Sequence, residues 1–473
     1  MRNKVYKRAA LAIVCAGGML AGTAAQAANW LMLQGTEPAG AAARAKLWGF
    51  VQVQYQKDFS DPSSGGTYIP PKLIGPNLES QSAFNVNRAR IGVRGSNFPL
   101  DSKTNYFLLL EMGNNGITYD GDSFAKATDA SVTFSHIPGA RIRTGLFKYP
   151  GAEEGLQAIH VFDYINFTKV TNQLLLERFA TERYPDPVPG SSVGGTCSTP
   201  PSGPDPACDL NIHGEVGAFR DVGIQVFDTF NVGAKKDWEL AYALMVGNGR
   251  GLNFSDNDDN KDVYLYLSAE QVFGGKGPRR EGMKFWAWHQ DGKRTADLTN
   301  DATHNPQEYD RERSGLGFKY LKKPSRFTAE YMTGDGMIFM GPNNPVFGTG
   351  PSVGCPVTDP TNPGCGPAGA VANGALGEAD GWYIEGGWYI PGTNWEIDLR
   401  YDVYNRLTNS SSWEFERTRW TVGTQYHFNK KTRVAINYEK DDDEAINFAP
   451  GAGPNGNLKG LDDRIAIQVT AIF

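Results

Sequence analysis

Long apolar runs are missing from almost the whole chain. After residue 27 no window of about 18 apolar residues occurs, which excludes a helical membrane span there. Histidine is scarce, at 6 in 473 residues. No nucleophile elbow and no Ser/His/Asp grouping can be placed, so the chain reads as a non-enzyme with no catalytic residues. Cysteine is scarce too, at 5. No CxxCH motif is present, and the cysteine spacings are too wide, with no histidine beside them, for a zinc site. The run from Asp256 to Asp262 comes nearest to a calcium loop. It has Lys261 where the sharp turn needs glycine and Leu267 where the last ligand would be glutamate. No metal and no cofactor is expected. A cationic surplus is also lacking: 46 Lys+Arg stand against 52 Asp+Glu, a net charge of -6. That removes nucleic acid as a partner.

What is present begins with an export leader, residues 1–27. Arg2, Lys4, Lys7 and Arg8 form its positive end, and an apolar stretch runs from Ala9 to Ala25. Ala25-Gln26-Ala27 has the small-x-small form of a cleavage site, so the mature chain is expected to start near Ala28. A retained anchor is the competing reading, but Gly17, Gly18 and Gly22 interrupt the apolar part. Cys15 lies inside the leader. The other four cysteines form two close pairs, Cys197 with Cys208 and Cys355 with Cys365, in Gly/Pro/Ser-rich sequence. They are disulfide candidates, local closure costing least and an oxidising compartment permitting both bonds. Residues 28–46 are Ala-rich and read as a short periplasmic segment or a small helix, with no function assigned.

From residue 47 to 473 the dominant signal is period-two alternation. Ile465, Ile467, Val469, Ala471 and Phe473 oppose Arg464, Ala466, Gln468 and Thr470. Trp395, Ile397, Leu399, Tyr401 and Val403 oppose Glu396, Asp398, Arg400 and Asp402. Charges on one face of so many strands are too costly for a dry core. A water-filled lumen removes that cost, with the apolar faces turned outward to lipid. The mean hydropathy of -0.42 does not oppose this, because only alternate residues meet lipid. About sixteen candidate strands lie between 47–56 and 460–473, an even number, as bacterial single-chain barrels require. Their connections alternate between short turns, such as His136-Ile137-Pro138-Gly139, and long loops, including 149–216 and 334–378. The expectation is all-β: a 16-stranded antiparallel transmembrane barrel with long extracellular loops, in the outer membrane. Its surroundings would be outer-membrane lipid and lipopolysaccharide. A C-terminal aromatic, Phe473, resembles the recognition signal of such barrels.

Arg88, Arg90 and Arg94 share one parity while Ala89, Ile91 and Val93 take the other. Arg141 and Arg143 repeat this against Ile142, Thr144 and Leu146. Arg417, Arg419, Arg433 and Arg464 add further inward cations. Such a column would draw anions through a narrow channel. The alternative is wall packing, with these arginines paired to Glu111, Glu239, Glu330, Glu385 or Glu439. The segment 149–216 is too long and too apolar, with Leu174-Leu175-Leu176, to be an ordinary loop. Folded into the lumen, it would make a constriction.

These motifs resemble the phosphate-selective porin family (the O/P porins). Arg88-Ala89-Arg90-Ile91-Gly92-Val93-Arg94-Gly95 is similar to that family's second strand, and Arg141 to Lys148 to the strand leading into its constriction loop. Glu177-Arg178 resembles the middle of that loop, and Arg220-Asp221-Val222-Gly223 the opening of strand six. Gly386 to Gly392 and Trp420 to Tyr438 are similar to its late strands. The resemblance implies a homotrimeric porin whose third loop lies in the lumen, passing phosphate along an arginine ladder. Lys148 would stand at the approach to the constriction. Glu153 and Glu154 depart from the lysines the family has there. The pore-lining expectation is therefore Arg88, Arg90, Arg94, Arg141, Arg143, Lys148, Glu153, Glu154, Arg417, Arg419, Arg433 and Arg464, around small anionic solutes. A general or cation-preferring porin, or a scaffold barrel holding a partner, remain alternative readings.

Overall fold

Alternating side chains favour strands here because each pleat can give one face to an apolar and one to a polar medium. The computed structural model describes residues 30–33, 44–60, 82–97, 101–115, 118, 124–176, 218–235, 237–256, 258–275, 277, 279–296, 307–338, 376–409, 414–450, 455 and 462–473. The expected leader, the four later cysteines and Glu177-Arg178 lie outside them.

The strands are β1 (Lys46–Asp58), β2 (Ser82–Ser96), β3 (Thr104–Glu111), β4 (Lys126–Ile137), β5 (Ala140–Lys148), β6 (Arg220–Val232), β7 (Trp238–Gly247) and β8 (Asp262–Gly274). They continue as β9 (Glu281–Ala296), β10 (Gln307–Lys322), β11 (Ser325–Asp335), β12 (Glu378–Tyr389), β13 (Trp395–Arg406), β14 (Phe415–His427), β15 (Thr432–Glu444) and β16 (Arg464–Ile472). Each pairs with its sequence neighbour, and β16 closes on β1 from Phe50↔Ile472 to Asp58↔Arg464. The result is the closed 16-stranded antiparallel barrel expected from the alternation. Closure leaves no strand edge unpaired, the condition for a sheet to stand in lipid.

Short turns join alternate pairs. In the β4–β5 turn Ile137 pairs with Ala140, and Gly139 takes the left-handed φ of 77° that the turn demands. On the long-loop side several strands outrun their expected ends. β9 reaches Ala296 rather than 291, and β15 reaches Glu444 rather than 441. Those extensions are polar, so apolar periodicity does not mark them. Backbone pairing with the adjacent strand carries them on, as in Thr295↔Glu308.

The outer surface carries the apolar parity, including Leu240, Leu244, Leu265, Leu399, Trp420, Val422 and Val469, all exposed. One parity shift departs from the sequence reading. Phe84 and Val86 have the parity of Arg88 and Arg90 yet face outward, Phe84 being 82% exposed, while both arginines are buried. The register of β1 with β2 slips between Gln52 and Val53, leaving Asn87 unmatched. One extra residue in one strand flips every side chain beyond it.

The interior is not the uniformly wet lumen expected. The inner faces of β7, β8 and β9 present Ala241, Ala243, Met245, Tyr264, Tyr266, Trp286 and Trp288. Against them pack Tyr149, Ala152, Leu156, Val170 and Leu174 to Leu176 from the segment after β5. A short helix, α1 (Trp30–Leu33), joins the same apolar cluster, inside the barrel wall rather than below it. One sector of the lumen is thus a dry seam, because segment and wall offer each other apolar surface.

Candidate functional site

The segment 149–176 crosses the barrel interior and is held at each step by inward-facing side chains. At its start, helix α2 (Glu153–Leu156) is clamped from two sides. The Glu153 carboxylate accepts from Lys284 Nζ at 2.6 Å and Lys319 Nζ at 3.2 Å. The Glu153 amide donates to Glu330 at 3.1 Å. Glu330 also accepts from Trp286 Nε1 at 2.8 Å, Trp288 Nε1 at 2.9 Å and Tyr383 OH at 2.9 Å. Lys148 Nζ donates to Gly155 O at 2.7 Å and Gln157 O at 2.8 Å. Glu154 accepts from Thr168 Oγ1 at 2.6 Å and lies 3.7 Å from Arg400.

Further on, the segment turns across β1 and then β11 to β15. Gln52 Nε2 donates to Ile159 O at 3.4 Å, and the His160 ring packs on Phe50 at 4.9 Å. Arg433 donates to Phe162 O, and Arg279 and Arg326 both reach Asp163. Ile165 N donates to Asn437 Oδ1 at 2.8 Å. Lys169 Nζ sits between Asp441 at 3.2 Å and Asp443 at 3.1 Å.

The charges of the segment answer to these neighbours. Burial opposes ionisation of Glu153, but Lys284 and Lys319 overcome it and hold the carboxyl at about 2. Burial pushes Glu154 up to about 7, Arg400 only partly opposing it. Burial, with Arg433, Arg90 and Lys148 nearby, drives His160 down to about 3, so its ring is neutral.

The cations read from the sequence fall into two sectors. In the first, Arg88 donates to Gln52 Oε1 at 3.1 Å, Arg90 pairs with Glu111 at 2.6 Å, and Arg94 lies over the Trp48 ring. Lys148 and Arg220, the latter read from the sequence only as part of the strand-six motif, complete this group, within electrostatic reach of Arg88 and Arg90. Arg220 is paired with Asp129 at 3.0 Å. Arg141 lies 3.7 Å from Asp228, and Arg143 donates to Thr133 Oγ1 at 3.3 Å and Gln225 Oε1 at 3.4 Å. Among the described residues, three carboxylates, Glu111, Asp129 and Asp228, pair with cations of this group. In the second sector charges balance. Arg417 pairs with Asp443 at 2.9 Å, Arg419 with Asp441 and Glu439, and Arg464 with Glu439. Arg433 donates to Gln425 as well as to the crossing segment. Glu153 and Glu154 are themselves buried within the interior anchorage.

Sequence reasoning missed Lys284, Lys319, Arg279, Arg280 and Arg326. They line a cleft together with Trp30, Gln157 and Tyr389. Parity alone would have flagged some of them: Lys284 alternates with the exposed Phe285, and Arg326 with the exposed Phe327. The motif glycines have a packing role. Gly145 and Gly223 face each other across β5 and β6, and a Cβ on either would stand 2.2 Å from a neighbouring carbonyl. Among the described residues no group of three or more His, Cys, Asp or Glu could hold a metal ion.

No protein-family model matches the chain, and no curated protein matches it. Solved structures do. The Salmonella typhi OmpF complex with daunomycin is similar over 91% of this chain and 97% of that one, with 11% identity and a TM-score of 0.50. The outer membrane channel DcaP of Acinetobacter baumannii matches over 93% and 100%, with 10% identity and a TM-score of 0.45. Pseudomonas putida OprB matches over 91% and 94%, with 7% identity and a TM-score of 0.47. At such identities the likeness is one of fold, the closed antiparallel barrel.

Proposed function

We propose that this chain is an outer-membrane porin, a passive path for small hydrophilic solutes with anions such as phosphate favoured. The observation that carries the reading is the joint arrangement of wall and interior. The outer face is apolar as lipid requires, while the interior holds a crossing segment beside a cation-rich sector. Arg88, Arg90, Arg94, Lys148 and Arg220 would attract the anion. Arg419, Arg464 and Arg417, matched by carboxylates, would serve instead to brace the wall. The export leader and Phe473 fit delivery to the outer membrane. The homotrimer follows from the resemblance to phosphate-selective porins.

A second reading has its own observation. Carboxylates bind most of the interior cations, and matched pairs cancel beyond a few ångströms. On that reading the channel is weakly selective. Single-channel recording of the folded protein under a KCl gradient separates the two. A chloride-favouring reversal potential, shifted toward cations by Arg90→Glu, is the expected outcome. An unchanged reversal potential in that variant would refute the arginine path. Absence of any conductance would leave a scaffold barrel.

A further inference from the structure

The two ends of the barrel carry opposite charge. On the short-turn side the exposed cations are Lys103 at the β2–β3 turn, Lys235 at the β6–β7 turn, Lys322 and Lys323 at the β10–β11 turn, and Lys430 and Lys431 at the β14–β15 turn. Arg44 and Lys46, at the start of β1, are exposed at the same end. Among the described residues none of these side chains is in an ion pair. The side-chain carboxylates described at the turns are fewer and less exposed. Asp101, Asp237 and Glu281 are half-buried, Asp101 pairs with His136 at 2.6 Å, and Glu281 accepts from the Lys323 amide at 3.2 Å. On the long-loop side the sign reverses. Asp259, Glu308, Asp335, Glu378, Asp442 and Glu444 are exposed there, and Lys261 and Lys293 are paired with Asp256 and Glu308.

The basic residues go round the whole circumference. The turns that carry them fall four strands apart, in a closed sheet whose neighbours follow chain order. Next to them along the strands the outer wall bears aromatic rings. Phe230 stacks on Tyr242 at 6.0 Å, Phe273 meets Tyr320 at 5.9 Å, and Trp395 meets Tyr426 at 4.9 Å. Such rings mark the depth of the lipid headgroups. Lys322 Nζ lies 6.0 Å from the centroid of the Phe273 ring, so belt and girdle are in contact. Cations at one depth, all round the wall and directly beyond the aromatic level, meet a planar layer of headgroups at every turn. An acidic globular protein would meet them on one side only.

We propose that this basic belt binds the anionic phospholipid headgroups of the leaflet on the short-turn side. In outer-membrane barrels the short turns face the periplasm, so that leaflet is the inner one. The inference rests on the outer-membrane reading above and adds a lipid class and a leaflet to it. The attraction is that of surface cations for an anionic surface, and it falls off within a Debye length. The acidic rim at the other end gains nothing from the same lipid, which makes the contact sided.

The test uses the full folded chain in phosphatidylcholine vesicles, with spin-labelled phosphatidylglycerol and spin-labelled phosphatidylcholine as the probes. Electron spin resonance gives the fraction of each probe immobilised on the protein, and their ratio is the preference for the anionic lipid. The expected result at low salt is a preference of roughly fivefold, the gain from one surface cation. It should fall toward unity in about 1 M NaCl, where the screening length is short. A variant carrying Lys322→Gln, Lys323→Gln, Lys430→Gln and Lys431→Gln should lose most of it, while Lys322→Arg, Lys323→Arg, Lys430→Arg and Lys431→Arg together keep it. Glu378→Gln with Asp442→Asn, at the opposite rim, should not lower it. Equal immobilisation of the two probes by the unsubstituted chain overturns the proposal. So does a preference that survives the glutamine variant, the outcome expected if the belt serves an acidic protein instead. A chain that prefers phosphatidylglycerol yet passes no current keeps the belt and loses the porin. A chain that immobilises neither probe does not stand in the bilayer, and both readings fall.

Discussion

Glu330 shows how one side chain can hold a whole segment in place. Four donors converge on it: two indole N–H groups, a phenol and the Glu153 amide. Replacing it with leucine strands those donors in a buried place, at about 1–3 kcal/mol for each one left unsatisfied. Glu330→Leu should therefore lower thermal stability, read as an earlier loss of the compact band on heated gels, and broaden the open-channel noise. Glu330→Gln keeps acceptor capacity and should cost less. Glu154 makes a prediction about pH. Its carboxyl is raised to about 7 against an ordinary 4.5, so the seated segment favours the protonated form. The contribution is full below about pH 4.5 and is lost as pH rises through 7. Glu153, held at about 2, works in the opposite sense: its contribution is full above about 4.5 and is lost only as pH falls toward 2. Protease cleavage within 149–176 should therefore accelerate between pH 5 and 8, and Glu154→Gln should flatten that rise. A rise of equal size in the variant would reject Glu154 as its origin.

At the scale of the strand, neighbouring residues have opposite fates. Leu399 and Arg400 are adjacent in β13, one exposed on the outer wall and the other fully buried inside. Leu399→Arg places a guanidinium in lipid and should cost about 2–4 kcal/mol near mid-bilayer. Denaturant titration of folding into vesicles would measure it, and a cost within error would mean that this wall does not face lipid. Parity was readable from the sequence in β13 because its two faces differ in chemistry. In β7 Glu239 carried the parity, and Leu240, Leu244 and Val246 are exposed as it implies, but from Ala241 to Val246 both faces are apolar and composition did not mark the seam. Parity failed at Asn87, since a bulge leaves no compositional mark beyond the misplaced Phe84 and Val86.

For the whole molecule, closure matters more than any single contact. β1 and β16 lie at opposite ends of the chain, yet their ladder removes the last two edges. Deleting residues 464–473 would expose the backbone of β1 and β15 to lipid, at several kcal/mol for each unpaired group. The expected result is no folded monomer at all rather than a less stable one, seen as complete loss of the heat-modifiable band. A folded, heat-modifiable product would show that the barrel can close without β16.

The amino-acid sequence by itself determined the barrel, its strand number and which residues of most strands turn inward. Those properties follow from a local period and from the media on either side of the wall. It also marked the stretch after β5 as too long and too apolar to remain outside. The tertiary structure decided which charges come together. The partners that decide this are far apart in the chain, as with Lys284 and Glu153, 131 residues apart, or Lys169 and Asp443, 274 apart. It also decided that α1 lies inside. Nothing in Trp30–Leu33 signals its seat until strands β5 to β7 are folded beside one another and present the apolar groove it fills.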